Sequence, residues 1–179
     1  MNKHTCFRLG LLVFSAAALS HSGYAQATAA ASRLGDIQVG AGYVRAHPDY
    51  SPSTFNGITI FADADFARYL GVEADFHRIS GLSPTTLSET SYEAGGRLRY
   101  PIGPFSPYAK FLVGAGTFSF GSSYQNGTYL TYSGGIGLDY LVTRRIVARA
   151  DFEYQRWGGF PPRGLQPNLF TIGAAYRFR

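Results

Sequence analysis

About eight stretches of this chain alternate apolar and polar residues with a period of two, and their polar halves mix glycine with Arg, Asp and Glu. A period of two belongs to a strand whose two faces meet different surroundings. No stretch keeps a convincing helical period, so the expected class is all-β.

The stretches cover about residues 36–45, 55–66, 70–79, 91–100, 108–118, 129–141, 145–156 and 170–178. In the second, Ile58, Ile60, Ala62, Ala64 and Phe66 oppose Thr59, Phe61, Asp63 and Asp65. The third sets Leu70, Val72, Ala74 and Phe76 against Glu73, Asp75 and His77. The fourth sets Tyr92, Ala94, Leu98 and Tyr100 against Glu93, Gly95, Arg97 and Arg99. Asp139 lies on the polar face of the sixth, Arg149, Asp151 and Glu153 on that of the seventh, and Arg177 on that of the eighth. The fifth is the least regular. Ala109, Phe111, Val113 and Ala115 oppose Lys110, Gly114 and Gly116, while Leu112 and Phe118 fall out of phase, which admits a bulge.

Alternation alone also suits a soluble barrel with its apolar face inward. Two features reverse that orientation. Glycine weakens a water-facing strand, yet Gly40, Gly42, Gly95, Gly114, Gly116, Gly135, Gly137 and Gly173 all share the charged faces. Inside a narrow barrel they leave room for Arg97, Arg99, Arg149 and Arg177 to reach Asp63, Asp65, Glu73, Asp75, Glu93, Asp139, Asp151 and Glu153 across a lumen that side chains just fill. Aromatics also mark both ends of the apolar faces: Tyr43, Phe76, Tyr92 and Tyr154 toward one end, Phe66, Tyr100, Tyr140 and Tyr176 toward the other. They read as two interfacial girdles.

Charged residues are 15% of the 179, below the ~25% of soluble domains. The longest apolar run, residues 9–19, is too short for a helical span of ~20 residues. It reads instead as the core of a secretory signal, with Lys3 and Arg8 before it and Gly23-Tyr24-Ala25 as the cleavage region. The expected organisation is a signal over residues 1–25, a flexible lead over 26–33, and one barrel domain over 34–179. Connections alternate too, with short ones near Ala67 and Thr143 and longer ones near Asp49, Leu82, Tyr124 and Pro161. That is the asymmetry of short inner turns and long outer loops. Unpaired backbone is not tolerated in lipid, so the eighth strand must pair with the first. The reading is an eight-stranded antiparallel up-and-down transmembrane β-barrel.

Chemistry-bearing motifs are few. The formal charge of +5 is spread without a basic run, which argues against nucleic acid. Cys6 is the only cysteine and lies in the signal, so no disulfide, thiolate nucleophile or Cys metal site is expected. Beyond the signal only His47 and His77 remain, without metal-ligand spacing, and no cofactor is expected. His47-Pro48-Asp49 reads as a turn rather than a catalytic pair. His77 reads as a partner in the charge network, with a proton-responsive role as the alternative. His77 and Ser80 would not share a face, whereas Ser91 and Glu93 would. Tyr50, Phe55, Tyr124, Trp157 and Phe160 read as loop aromatics that anchor at the interface or touch surface partners.

Phe170-Thr171-Ile172-Gly173-Ala174-Ala175-Tyr176-Arg177-Phe178 resembles the C-terminal signal of outer-membrane proteins, with Tyr176 and Phe178 as its aromatics and Arg179 as a one-residue departure. Gly134-Gly135-Ile136-Gly137-Leu138-Asp139-Tyr140, followed by Arg149-Ala150-Asp151-Phe152-Glu153-Tyr154, looks like the small OmpA/OmpX-type barrel family. That resemblance implies the outer membrane of a Gram-negative-type bacterium, contact with its lipid and lipopolysaccharide, insertion by the barrel-assembly machinery through the last strand, and a monomer. A peptidoglycan-binding domain after Phe178 is not expected. The leading functional expectation is a non-enzymatic barrel for envelope integrity or surface interaction, its lumen filled by the charged network. A porin-like narrow pore for small solutes and a lipid A-modifying enzyme stand as alternatives.

Overall fold

Eight strands run in chain order: β1 (Asp36–His47), β2 (Phe55–Asp65), β3 (Leu70–Ser80), β4 (Leu87–Arg99), β5 (Phe105–Phe120), β6 (Gly127–Leu141), β7 (Ile146–Gly158) and β8 (Asn168–Phe178). Each pairs antiparallel with its sequence neighbours, and β8 closes onto β1 from Ile37↔Phe178 to His47↔Asn168. Closure leaves no strand edge, the condition a sheet must meet in hydrocarbon. The structure is a computed structural model that describes residues 36–49, 53–80, 87–120, 127–159 and 164–178. The expected signal, the lead, Arg179 and the loop residues Tyr50, Tyr124 and Phe160 lie outside the described residues.

The barrel is inside-out relative to a soluble protein. Ile136 and Ile172 are 64% and 61% exposed, whereas Asp63 and Glu153 are 1% and 0% exposed. Every strand repeats the pattern, with Val39, Ile60, Val72, Leu98, Phe111 and Phe152 all exposed on the outer wall. Burying one such side chain away from water is worth about 1.5–3 kcal/mol. The wall recovers that energy only if an apolar medium surrounds it.

The short connections sit at one end, where Ala67 N donates to Leu70 O (3.1 Å) and Val142 N to Ile146 O (2.9 Å). The third joins β4 to β5 through residues 100–104. Ile102 bridges to Phe105 around Gly103, whose φ of +60° suits a residue without a side chain, and Pro107 is already part of β5.

The fifth strand holds no bulge. Its ladder runs unbroken from Leu87↔Phe120 to Arg99↔Tyr108 on one side and from Phe105↔Tyr140 to Phe118↔Gly127 on the other. Leu112 and Phe118 keep their phase and point inward, Leu112 among polar neighbours and Phe118 into an apolar cluster with Trp157 and Leu165. The wall is uneven in height: β5 and β6 have 16 and 15 residues, against 11 each in β2, β3 and β8.

Candidate functional site: the barrel lumen

The inward face of each strand delivers one residue in two to the lumen, and the lumen is layered. At the turn end Arg177 Nε donates to Asp36 Oδ1 (2.8 Å), and Arg99 reaches Asp65 Oδ2 (2.7 Å) and Asp36 Oδ2 (3.4 Å). A cavity of about 190 Å³ opens here, lined by polar groups that include Gln38, Arg99, Ser106 and Arg177.

The next layer crosses the whole barrel. Arg149 on β7 reaches Asp63 Oδ2 on β2 (2.5 Å) and Asp139 Oδ1 on β6 (2.8 Å). Arg97 on β4 reaches Asp63 Oδ2 (2.7 Å) and also Asp139. Each guanidinium lies over an aromatic ring: Arg97 Cζ is 3.9 Å from the Tyr108 centroid and Arg149 Cζ 3.9 Å from that of Phe61. Such stacking suits a planar, weakly hydrated cation. Glycine makes room for the rings as much as for the arginines. A Cβ on Gly137 would lie 2.4 Å from the Tyr108 ring, and one on Gly116 would lie 2.5 Å from Trp157.

Above it, Lys110 Nζ gathers Asp75 Oδ2 (2.6 Å), Glu153 Oε2 (2.8 Å), Glu73 Oε1 (3.0 Å) and Asp151 Oδ1 (3.1 Å). Tyr108 Oη also donates to Asp151 Oδ2 (2.7 Å). His77 Nε2 faces Glu153 Oε1 at 3.7 Å and Asp75 Oδ2 at 3.9 Å. Gln155 Nε2 donates to Glu153 Oε1 (2.8 Å) and Glu93 Oε2 (2.9 Å) and lies 3.4 Å from Ser91 Oγ. Trp157 Nε1 then donates to Gln155 Oε1 (3.0 Å).

At the loop end the lumen turns apolar. Val44, Ala46, Ile79 and Leu169 form one buried cluster, Phe118, Trp157 and Leu165 another, and Phe55 packs against both. Trp157 and Phe55 are therefore not free loop aromatics. β7 continues to Gly158, which keeps Trp157 in phase with Gln155 and Glu153 and buries it to 1% exposure.

The structure thus brings Asp63, Asp65, Glu73, Asp75, His77, Glu93, Arg97, Arg99, Asp139, Arg149, Asp151, Glu153 and Arg177 into one lumen. Three charged members were missed: Lys110, which is central, Asp36 at the turn end, and Glu89, buried in a part of β4 read as loop. Lys110 and Asp36 carried a usable signal, since both lie on the polar faces of their stretches. Ser80 is exposed and His77 buried, so these two point to opposite sides of the wall; Tyr176 and Phe178 face outward in edge-on contact at 4.9 Å.

The outer membrane protein beta-barrel domain model matches residues 9–178. The chain belongs to this family. No curated protein sequence matches it. Among solved structures this outer-membrane barrel resembles Ail, the attachment invasion locus protein of Yersinia pestis, in a complex with the heparin analogue sucrose octasulfate. That likeness has a TM-score of 0.63 at 20% identity, over 80% of this chain and 98% of Ail. It also resembles Neisserial surface protein A, with a TM-score of 0.66 at 17% identity over 80% of this chain and 96% of that one. The outer membrane protein OprG of Pseudomonas aeruginosa gives a TM-score of 0.60 at 15% identity over 82% of this chain and 97% of that one.

Proposed function

We propose that this outer-membrane barrel is a non-enzymatic, plugged monomer that serves envelope integrity or surface interaction, and that its lumen does not conduct. One observation carries the reading: Arg97 and Arg149, held on β4 and β7, meet Asp63 and Asp139 from β2 and β6 in a single layer that spans the barrel. A solute moving through would have to separate these buried pairs. Removing one partner of such a pair costs about 3–5 kcal/mol. The apolar clusters around Trp157 and Leu169 add a second barrier toward the loops.

The surface role rests on the outer wall. Arg45, Arg78 and Arg156 are exposed on the outer wall toward the loop ends of β1, β3 and β7, level with Phe170, Ile58 and Tyr132 in the strand register. At that height they would meet the phosphates of lipopolysaccharide, to which guanidinium groups bind well. Ail, the relative crystallised with a sulfated sugar, is consistent with a polyanion partner at such a surface.

The polar cavity at the turn end favours the narrow-pore reading as the second possibility. Liposome swelling separates the two. Vesicles carrying the plugged barrel swell in small sugars no faster than empty vesicles, and faster swelling would establish the pore. Export through removal of residues 1–25 and recognition of Tyr176 and Phe178 by the assembly machinery complete the proposal.

A further inference from the structure

Neither ring nitrogen of His77 has a hydrogen-bond partner, although the side chain is only 2% exposed. Burying an imidazole without partners is costly. Its Nε2 instead points between two carboxylates, 3.7 Å from Glu153 Oε1 and 3.9 Å from Asp75 Oδ2. These separations exceed a hydrogen bond. They lie a few tenths of an ångström above the roughly 3.3–3.6 Å between two ligands of a tetrahedral ion with 2.0–2.2 Å bonds. One donor atom from each of Asp75, His77 and Glu153 falls within 4.8 Å of the other two.

Charge points the same way. Asp75, Glu93, Asp151 and Glu153 are all buried, and Lys110 is the only Lys or Arg in ion-pair contact with any of them among the described residues. Glu93 sits beside Asp75 in the β3–β4 register and leaves Oε1 without a partner. A buried layer with this surplus of carboxylate gains from a second cation.

We propose that Asp75, His77 and Glu153 form a binding site for one divalent transition-metal ion of the zinc class inside the barrel. The imidazole selects this class over calcium and magnesium, which take all-oxygen shells. A metal here ties β3 to β7 across the lumen. Lys110 shares Asp75 and Glu153, so it competes with the metal for their charge. The sequence lacks the close ligand spacing of a zinc motif because Glu153 comes from a strand far along the chain.

The test uses protein extracted from outer membranes, unfolded in urea and refolded into micelles with Zn²⁺ present. Loose metal is removed by gel filtration, bound zinc is counted by mass spectrometry, and its affinity is read by competition with a chelator of known zinc affinity. Wild type keeps one zinc per barrel. His77→Gln and Glu153→Gln bind at least about tenfold more weakly, while their heat-dependent gel mobility shows that they still fold. Lys110→Met binds more tightly, and His47→Gln, at the exposed histidine, binds as wild type. Wild type without zinc, or His77→Gln with zinc equal to wild type, overturns the site. So does loss of zinc in His47→Gln or weaker binding in Lys110→Met. Conductance is not involved, so this site and the plugged lumen fail independently.

Discussion

Gly137 on β6 faces Tyr108 on β5 so closely that a single methyl group in its place would lie 2.4 Å from the ring. The same methyl would meet the Ala150 carbonyl oxygen at 2.8 Å, so neither neighbour can simply give way. Tyr108 is 5% exposed, lies beside both Arg97 and Arg149, and donates to Asp151. Gly137→Ala therefore disturbs two layers of the lumen at once. Overpacking of this kind costs about 1–3 kcal/mol. Gly134, three residues earlier on β6, faces outward with nothing within 4 Å of its Cβ position. Gly134→Ala stays within about 0.5 kcal/mol of wild type. Urea unfolding in micelles distinguishes the pair, and equal effects would contradict the packing described for Tyr108.

Arg149→Met leaves Asp63 and Asp139 facing each other with Arg97 alone between them. Loss of one partner from a buried pair predicts destabilisation of about 3–5 kcal/mol. Adding Asp63→Asn removes part of the stranded charge and restores part of the loss, so the double variant is more stable than the sum of the singles predicts. Strict additivity in the urea midpoints would mean that the two side chains do not interact.

Trp157 is the only tryptophan, which makes it a clean optical probe. It is 1% exposed and faces the lumen behind Phe118 and Leu165. Brominated acyl chains should quench its fluorescence weakly, because the β-wall separates it from lipid, and acrylamide should quench it slowly. Strong quenching by brominated lipid would put the indole on the outer wall.

Trp157 also shows where the sequence stopped being legible. Alternation assigns a face correctly wherever the strand is recognised, which is why Asp63, Glu73, Arg97 and Asp151 were all read as inward. It does not say where a strand ends when loop and strand are both polar and aromatic. The pattern alone therefore ends β7 before Trp157 and starts β4 after Glu89, where the strands run on to Gly158 and begin at Leu87. Leu112 looked out of phase because an inward leucine is unexpected among charges. Which charges meet was harder still. Arg149 and Asp63 are separated by 86 residues and Lys110 and Asp75 by 35, and their contact depends on strand tilt and stagger, which local pattern does not encode. Lys110 was seen on the right face, yet its place among four carboxylates emerges only from closure of the barrel.

Phe178 pairs with Ile37 in the closing ladder and packs its ring edge-on against Tyr176 on the outer wall. Its 50% exposure makes it available to lipid or to an assembly factor. Phe178→Ser should lower the amount of barrel in outer membranes several-fold, while refolding of the purified variant in micelles proceeds nearly as in wild type. Equal failure in both settings would make the residue a folding determinant rather than an assembly signal.

The proposed plug is the layer of Arg97, Arg149, Asp63 and Asp139 across the lumen. Single-channel recording of the folded barrel in a planar bilayer at neutral pH tests it most directly. The wild-type barrel gives no steady open level, and Arg97→Ala with Arg149→Ala produces a cation-preferring leak past the remaining carboxylates. A steady open conductance in wild type would contradict it.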